Sequence, residues 1–253
     1  MRDRKKTKLK KLLAHSPGRT LLGNLSHAVS IERFGARLSE RVFWRAPTDE
    51  LRIALTFDDG PHALSTPRVL DVLKAFDVPA TFFLVGKNIK SHLQVARDVV
   101  KAGHEIGNHT YNHMRLSFLA EAKIRDEIIR TDDLIRNIDG AEPRFLRPPF
   151  GLFTKRVLDI VEGLGYQTVV GDVYPRDPHH PGKKKIVERV VRKSAPGSVI
   201  ILHDGGNRRN VDRSETIEAI KEIIPRLKEK GFIFVRLSEL LSQSQFDDTD
   251  RIH

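Results

Sequence analysis

From residue 51 to residue 241 the chain alternates short apolar runs with longer segments whose apolar residues recur every three or four positions. The runs lie at 51–57, 80–85, 104–107, 144–146, 166–170, 198–202 and 232–235, and read as strands by length and by β-branched or apolar content. Between and after them, residues 66–76, 89–101, 119–138, 154–164, 183–193, 214–230 and 238–241 read as helices. Thr66 before Pro67 forms an N-cap and N1 pair, and Gly103, Gly165 and Gly231 act as stops. Seven strand–helix units without an internal repeat predict a mainly parallel sheet with helices outside it. A (β/α) barrel and an open doubly wound sheet both satisfy that pattern. The polar residues favour the barrel. Asp58 and Asp59 end the first strand, His109 and His113 follow the third, Arg147 ends the fourth and His203 ends the sixth. A barrel gathers such strand ends at one mouth, whereas an open sheet spreads them along an edge.

The formal charge of +11 is uneven. Residues 1–46 hold twelve Lys or Arg against Asp3, Glu32 and Glu40, which leaves only two net positive charges on the remaining 207 residues. We therefore divide the chain into a basic N-terminal extension (1–49), one α/β domain (50–242) and a polar C-terminal tail (243–253). Within the extension, Leu25, Ala28, Val29, Ile31 and Phe34 have the spacing of a short amphipathic helix. The extension has the charge to meet an anionic membrane, and no nucleic-acid partner is expected. No apolar stretch reaches 18 residues, so no membrane span is predicted. The basic start is followed by no sustained apolar run, so no secretory signal is read. The expected location is the cytoplasm, or the periphery of its membrane. The chain has no Cys, so any metal must be held by His, Asp, Glu or water.

Thr56-Phe57-Asp58-Asp59-Gly60-Pro61 sets two carboxylates where an apolar strand stops. Adjacent carboxylates repel, and a nearby cation relieves the cost. His109-Thr110-Tyr111-Asn112-His113 places two imidazoles four residues apart, able to face one point from a helical turn or a tight loop–helix junction. With one Asp they form a two-His, one-carboxylate set that leaves positions open for water and substrate. His104, on a strand, is expected to pack or bond locally, and His62, His179 and His180 to be solvated loop residues or to line the cleft. Arg147-Pro148-Pro149-Phe150-Gly151 makes a rigid loop whose Arg suits bidentate grip of a carboxylate, and whose Phe150 backbone N–H could meet an oxyanion. His203, directly after a buried strand, suits proton donation to a leaving amine.

Taken in order, these motifs resemble those of the polysaccharide deacetylase family, the NodB-homology domain, over roughly residues 50–242. The resemblance implies a distorted (β/α) barrel of seven or eight strands that removes N-acetyl groups from N-acetylglucosamine-containing oligo- or polysaccharides. It implies one divalent metal, Zn²⁺ before Co²⁺ or Ni²⁺. Asp58 would be the general base, Asp59, His109 and His113 the metal ligands, Arg147 the orienter of Asp58, and His203 the general acid with Asp177 as its partner. Phe150, Leu202 and Tyr174 would contact substrate, Leu202 by lining the pocket for the acetyl methyl. Val173-Tyr174-Pro175-Arg176-Asp177-Pro178 departs from the family's usual fourth motif by placing Pro178 where Trp is common. The rival reading is a metal-dependent amidohydrolase or esterase acting on a small acylated molecule that is not a glycan.

Overall fold

The computed structural model describes residues 41–206 and 211–242. The helix read around residues 25–34 and the tail at 243–253 lie outside the described residues. The strands are β1 (Val42–Phe43), β2 (Arg52–Asp58), β3 (Thr81–Leu84), β4 (Glu105–Asn108), β5 (Phe145–Leu146), β6 (Gln167–Val169), β7 (Val199–His203) and β8 (Ile233–Val235). The helices are α1 (Ser65–Ala75), α2 (Gly86–Ser91), α3 (Leu93–Lys101), α4 (Glu121–Arg136), α5 (Lys155–Gly163), α6 (Lys183–Lys193), α7 (Ser214–Glu229) and α8 (Leu237–Ser242).

All ladders between named strands are parallel, in the order β1-β6-β5-β4-β3-β2-β7, with β8 paired to the start of β2. The far edge of β7 does not meet β1 in a full ladder. It is joined by single bridges from Val173 to Ile200 and from Arg45 to Ser198, and by Ala46 N–H to Gly197 O at 2.9 Å. The result is the expected barrel, distorted where it closes.

The pleat of β2 organises the interior. Ile53, Leu55 and Phe57 point toward the helices and pack with Leu73, Ile220 and Ile223, whereas Ala54 belongs to a second cluster with Phe83, Phe145, Val169 and Val199. Side chains alternate faces with period two, so Thr56 and Asp58 share the inner face with Ala54. The same strand that anchors the helical shell therefore delivers a carboxylate to the barrel mouth.

Three local expectations differ from the structure. Residues 42–43, assigned above to the extension, form β1 and pair with Thr168 and Val169; a two-residue strand has too few positions to show a period. Thr66 lies inside α1 rather than at its cap: its hydroxyl accepts from His62 N–H (2.8 Å) and donates to Asp204 Oδ2 (2.5 Å). The helix read at 89–101 is two helices, broken at His92 (φ −136°), and the first begins earlier, at Gly86. No helix among the described residues is long and apolar enough to cross a membrane.

Candidate active site

Asp58 is the last residue of β2 and is 4% exposed. Its Oδ1 accepts from Arg147 Nη1 at 2.6 Å, and the same nitrogen donates to Thr56 Oγ1 at 2.8 Å. The bidentate grip expected of Arg147 is not formed. The guanidinium lies on the Phe83 ring, 4.0 Å from its centroid, and leaves Nε and Nη2 without hydrogen-bond partners among the described residues. Stacking on an aromatic face partly offsets the cost of burying the charge. Arg147 also holds a second group, because its carbonyl accepts from His109 Nδ1 at 2.7 Å. A carbonyl can only accept, so Nδ1 carries a proton and Nε2 is the ring nitrogen turned toward the site.

Asp59 turns away from the strand at φ 73°, a left-handed conformation Asp tolerates better than most residues. Its Oδ1 lies 3.1 Å from His113 Nε2 and 3.6 Å from His109 Nε2. That oxygen is buried and makes no hydrogen bond among the described residues. One donor atom from each of Asp59, His109 and His113 falls within 4.8 Å of the other two. An orphaned carboxylate oxygen facing two imidazole nitrogens fits a divalent cation, and an N₂O donor set suits zinc, cobalt or nickel better than calcium or magnesium. Burial, then the neighbouring His109, pulls the His113 imidazole down to about 4, so it stands neutral at pH 7, as a ligand must. Burial works against ionised Asp59, but the close approach of His109, followed by the charge of His203, outweighs it and holds the carboxyl well below its usual range. His109 and His113 lie on a loop after β4, not on a helical turn, with Thr110 at φ 65° and His113 at φ 56°.

His203 ends β7 in register with Asp58. Asp177, itself 1% exposed, takes His203 Nδ1–H on Oδ1 at 3.0 Å and the His203 backbone N–H on Oδ2 at 2.9 Å, and also accepts from Thr216 Oγ1. Burial alone would lower the imidazole pKa; the Asp177 carboxylate, with Asp59 and Asp58 behind it, instead raises it to about 9. Asp177 thus orients the ring and keeps it charged.

Phe150 and Tyr174 reach the mouth. The Phe150 ring centroid is 4.8 Å from that of His113, the residue has φ 63°, and Arg115 stacks on its face; the Tyr174 ring is 6.0 Å from His203. Leu202 does not reach it. Leu202 is in register with Phe57 and lies in the helix-facing cluster, fully buried. The inward residue is Ile201, in register with Thr56 and close to Gly171. Counting by two along β7 from His203, which must face the mouth, selects Ile201 over Leu202. His104 accepts from Ala80 N–H through Nδ1 and takes no part in the site.

Comparisons with known proteins agree with this architecture. The polysaccharide deacetylase family model matches residues 45–169. The chain is 41% identical over 202 residues to a peptidoglycan-N-acetylglucosamine deacetylase of Bacillus cereus, covering 79% of this chain and 92% of that protein. It is 38% identical over 196 residues to a chitooligosaccharide deacetylase of a Bradyrhizobium species, covering 74% and 90%. Among solved structures, a peptidoglycan N-acetylglucosamine deacetylase bound to 4-naphthalen-1-yl-N-oxidanyl-benzamide superposes with a TM-score of 0.77 at 33% identity, covering 82% of this chain and 96% of that one. Similarity that spans nearly the full length of such proteins, together with a shared fold, means that the chain belongs to the polysaccharide deacetylase family.

Proposed function

We propose that the protein is a metal-dependent hydrolase that removes N-acetyl groups from an N-acetylglucosamine-containing oligo- or polysaccharide, giving acetate and a free amine. The observation that carries this reading is the orphaned Asp59 oxygen between His109 and His113, with a separately held carboxylate, Asp58, beside it. The names of the relatives support the substrate class, and the donor set supports zinc.

A divalent cation held by Asp59, His109 and His113 would polarise an amide carbonyl and acidify water. The rest of the chemistry belongs to side chains of the chain. Asp58, held in place by Arg147, takes a proton from the attacking water. Phe150, in its fixed turn, offers a backbone N–H to the developing oxyanion. His203 gives its proton to the departing nitrogen as the carbon–nitrogen bond breaks. Ile201, rather than Leu202, forms the apolar wall for the acetyl methyl.

The test is acetate release from N-acetylglucosamine oligomers of increasing length, with stripped protein and with Zn²⁺, Co²⁺ or Ni²⁺ restored. Release that depends on metal and rises with length is expected. Stoichiometric metal with no release from any oligomer would overturn the glycan reading in favour of a small acylated substrate.

The raised pKa of His203 gives a further expectation. A group raised from 6.5 to about 9 keeps its proton through neutral pH and loses it as pH climbs past the folded value. The alkaline limb of kcat/KM therefore belongs to His203. Asp177→Asn removes the largest raising influence and leaves burial, which lowers the pKa, so the limb is expected to move to lower pH. A pH–rate profile with an unmoved alkaline limb would remove Asp177 from this role.

A further inference from the structure

We propose that Glu127, on α4, is a positioning residue for the loop that carries His109 and His113, and that it sets where His113 stands relative to Asp59 and His109. The proposal rests on reading those three residues as a metal site.

Glu127 sits in the charged stretch Arg125-Asp126-Glu127 and looks like part of a solvated helix face. It is instead completely buried. An ionised carboxylate removed from water is costly unless hydrogen bonds and an opposite charge meet it. Here Oε2 accepts from Asn112 N–H at 2.6 Å, Oε1 accepts from Asn112 Nδ2 at 2.7 Å, and Lys123 Nζ approaches Oε1 at 3.3 Å. Both carboxylate oxygens thus fasten one residue, and that residue immediately precedes His113. Charge-assisted bonds of this kind are roughly twice as strong as neutral ones.

The loop needs such fastening. Thr110 and His113 are both held at positive φ without being glycine, a left-handed backbone that costs L-residues with a Cβ. Two neighbouring residues are tied through their carbonyls: Gly86 N–H donates to Thr110 O and Lys87 N–H to Tyr111 O, each at 3.0 Å. Arg130, from the turn of α4 after Glu127, stacks on the Tyr111 ring at 3.6 Å. Gly86 allows the close approach, because a Cβ there would stand 2.7 Å from Tyr111 Cδ2 and 2.6 Å from Thr131 Oγ1. Thr110, Tyr111 and Asn112 are therefore each anchored in turn, and Glu127 supplies the last anchor before His113. Without it, the residue leading into His113 loses both bonds that fix it to α4, and the imidazole's place against Asp59 Oδ1 is no longer set from that side.

The test measures zinc affinity of the full chain by competition with a chromophoric chelator, at a temperature where far-ultraviolet circular dichroism shows each variant folded. Glu127→Ala is expected to weaken zinc binding about 10–100-fold, the range seen when residues that orient metal ligands are removed. Glu127→Gln keeps one acceptor and turns a donor toward Asn112, so it should fall between. Asn112→Ala loses the side-chain bond, keeps the backbone one, and should also weaken zinc; it decides the matter if Glu127→Ala does not fold. Ile124→Val, a core change on the same helix, controls for general destabilisation: it should lower Tm and leave zinc affinity unchanged. Parent-like zinc affinity in folded Glu127→Ala and Asn112→Ala would overturn the proposal. Failure of the parent chain itself to bind zinc would overturn the metal reading beneath it, which is a separate result.

Discussion

Replacing Asp58 by Asn is expected to lower kcat for acetate release by about 10²–10⁴-fold, the span that a positioned acid or base contributes, with zinc affinity unchanged. The two halves of that expectation come from the two carboxylate oxygens. Oδ1 is engaged by Arg147 Nη1 at 2.6 Å. Oδ2 stands 4.0 Å from His109 Nε2, and Asp58 is not part of the close donor set formed by Asp59, His109 and His113. Asn preserves the shape and still accepts from Nη1, but it has no basic oxygen to take a proton from water. Since the lost interaction acts only in the transition state, kcat and kcat/KM should fall together and KM should stay. The substitution also leaves the fully buried Arg147 without its counter-charge, which lowers stability. Kinetics therefore belong well below the variant's Tm. Parent-like kcat, or loss of zinc, in folded Asp58→Asn would remove Asp58 from the role of base.

Much of this site is legible in the order of residues alone, because strand ends in a parallel barrel share one mouth. Asp58, Asp59, Arg147 and His203 each follow a short apolar run, and the fold brings all four together with His109 and His113. What the sequence hides is finer than the element. Leu202 and Ile201 are equally apolar and adjacent, so composition does not separate them; the period of two counted back from His203 does, in agreement with the register of β7 on β2, which pairs Thr56 with Ile201. Arg147 reads as a fork for a carboxylate, yet its plane is set by Phe83, a residue from another strand with no sequence signal linking the two. The spacing of four between His109 and His113 suits a helical turn, whereas anchors from α2 and α4 hold their loop in left-handed turns. Glu127 is hidden for the same reason: charge on a helix usually means solvent, and only tertiary packing reveals burial.

His109→Ala is expected to abolish zinc-dependent activity and to weaken zinc by more than the roughly 10–100-fold that loss of an orienting neighbour costs. His109 is 2% exposed, its Nδ1 is committed to the Arg147 carbonyl, and its Nε2 faces Asp59 Oδ1. Neither His104, bonded to Ala80 N–H, nor His203, bonded to Asp177, stands ready to replace it. Thermal unfolding gives a readout that needs no substrate. Zinc at about a thousand times its Kd stabilises a native state that alone binds it by roughly 4 kcal/mol. For a domain of this size that corresponds to about 8–16 °C in Tm. The parent chain should show this rise on adding zinc, and His109→Ala should not. The pairing of the two variants separates the roles. Asp58→Asn should keep the zinc-induced rise and lose turnover, whereas His109→Ala should lose both. If His109→Ala kept the full rise, the cation would have to lie elsewhere, and the orphaned Asp59 oxygen would need another partner.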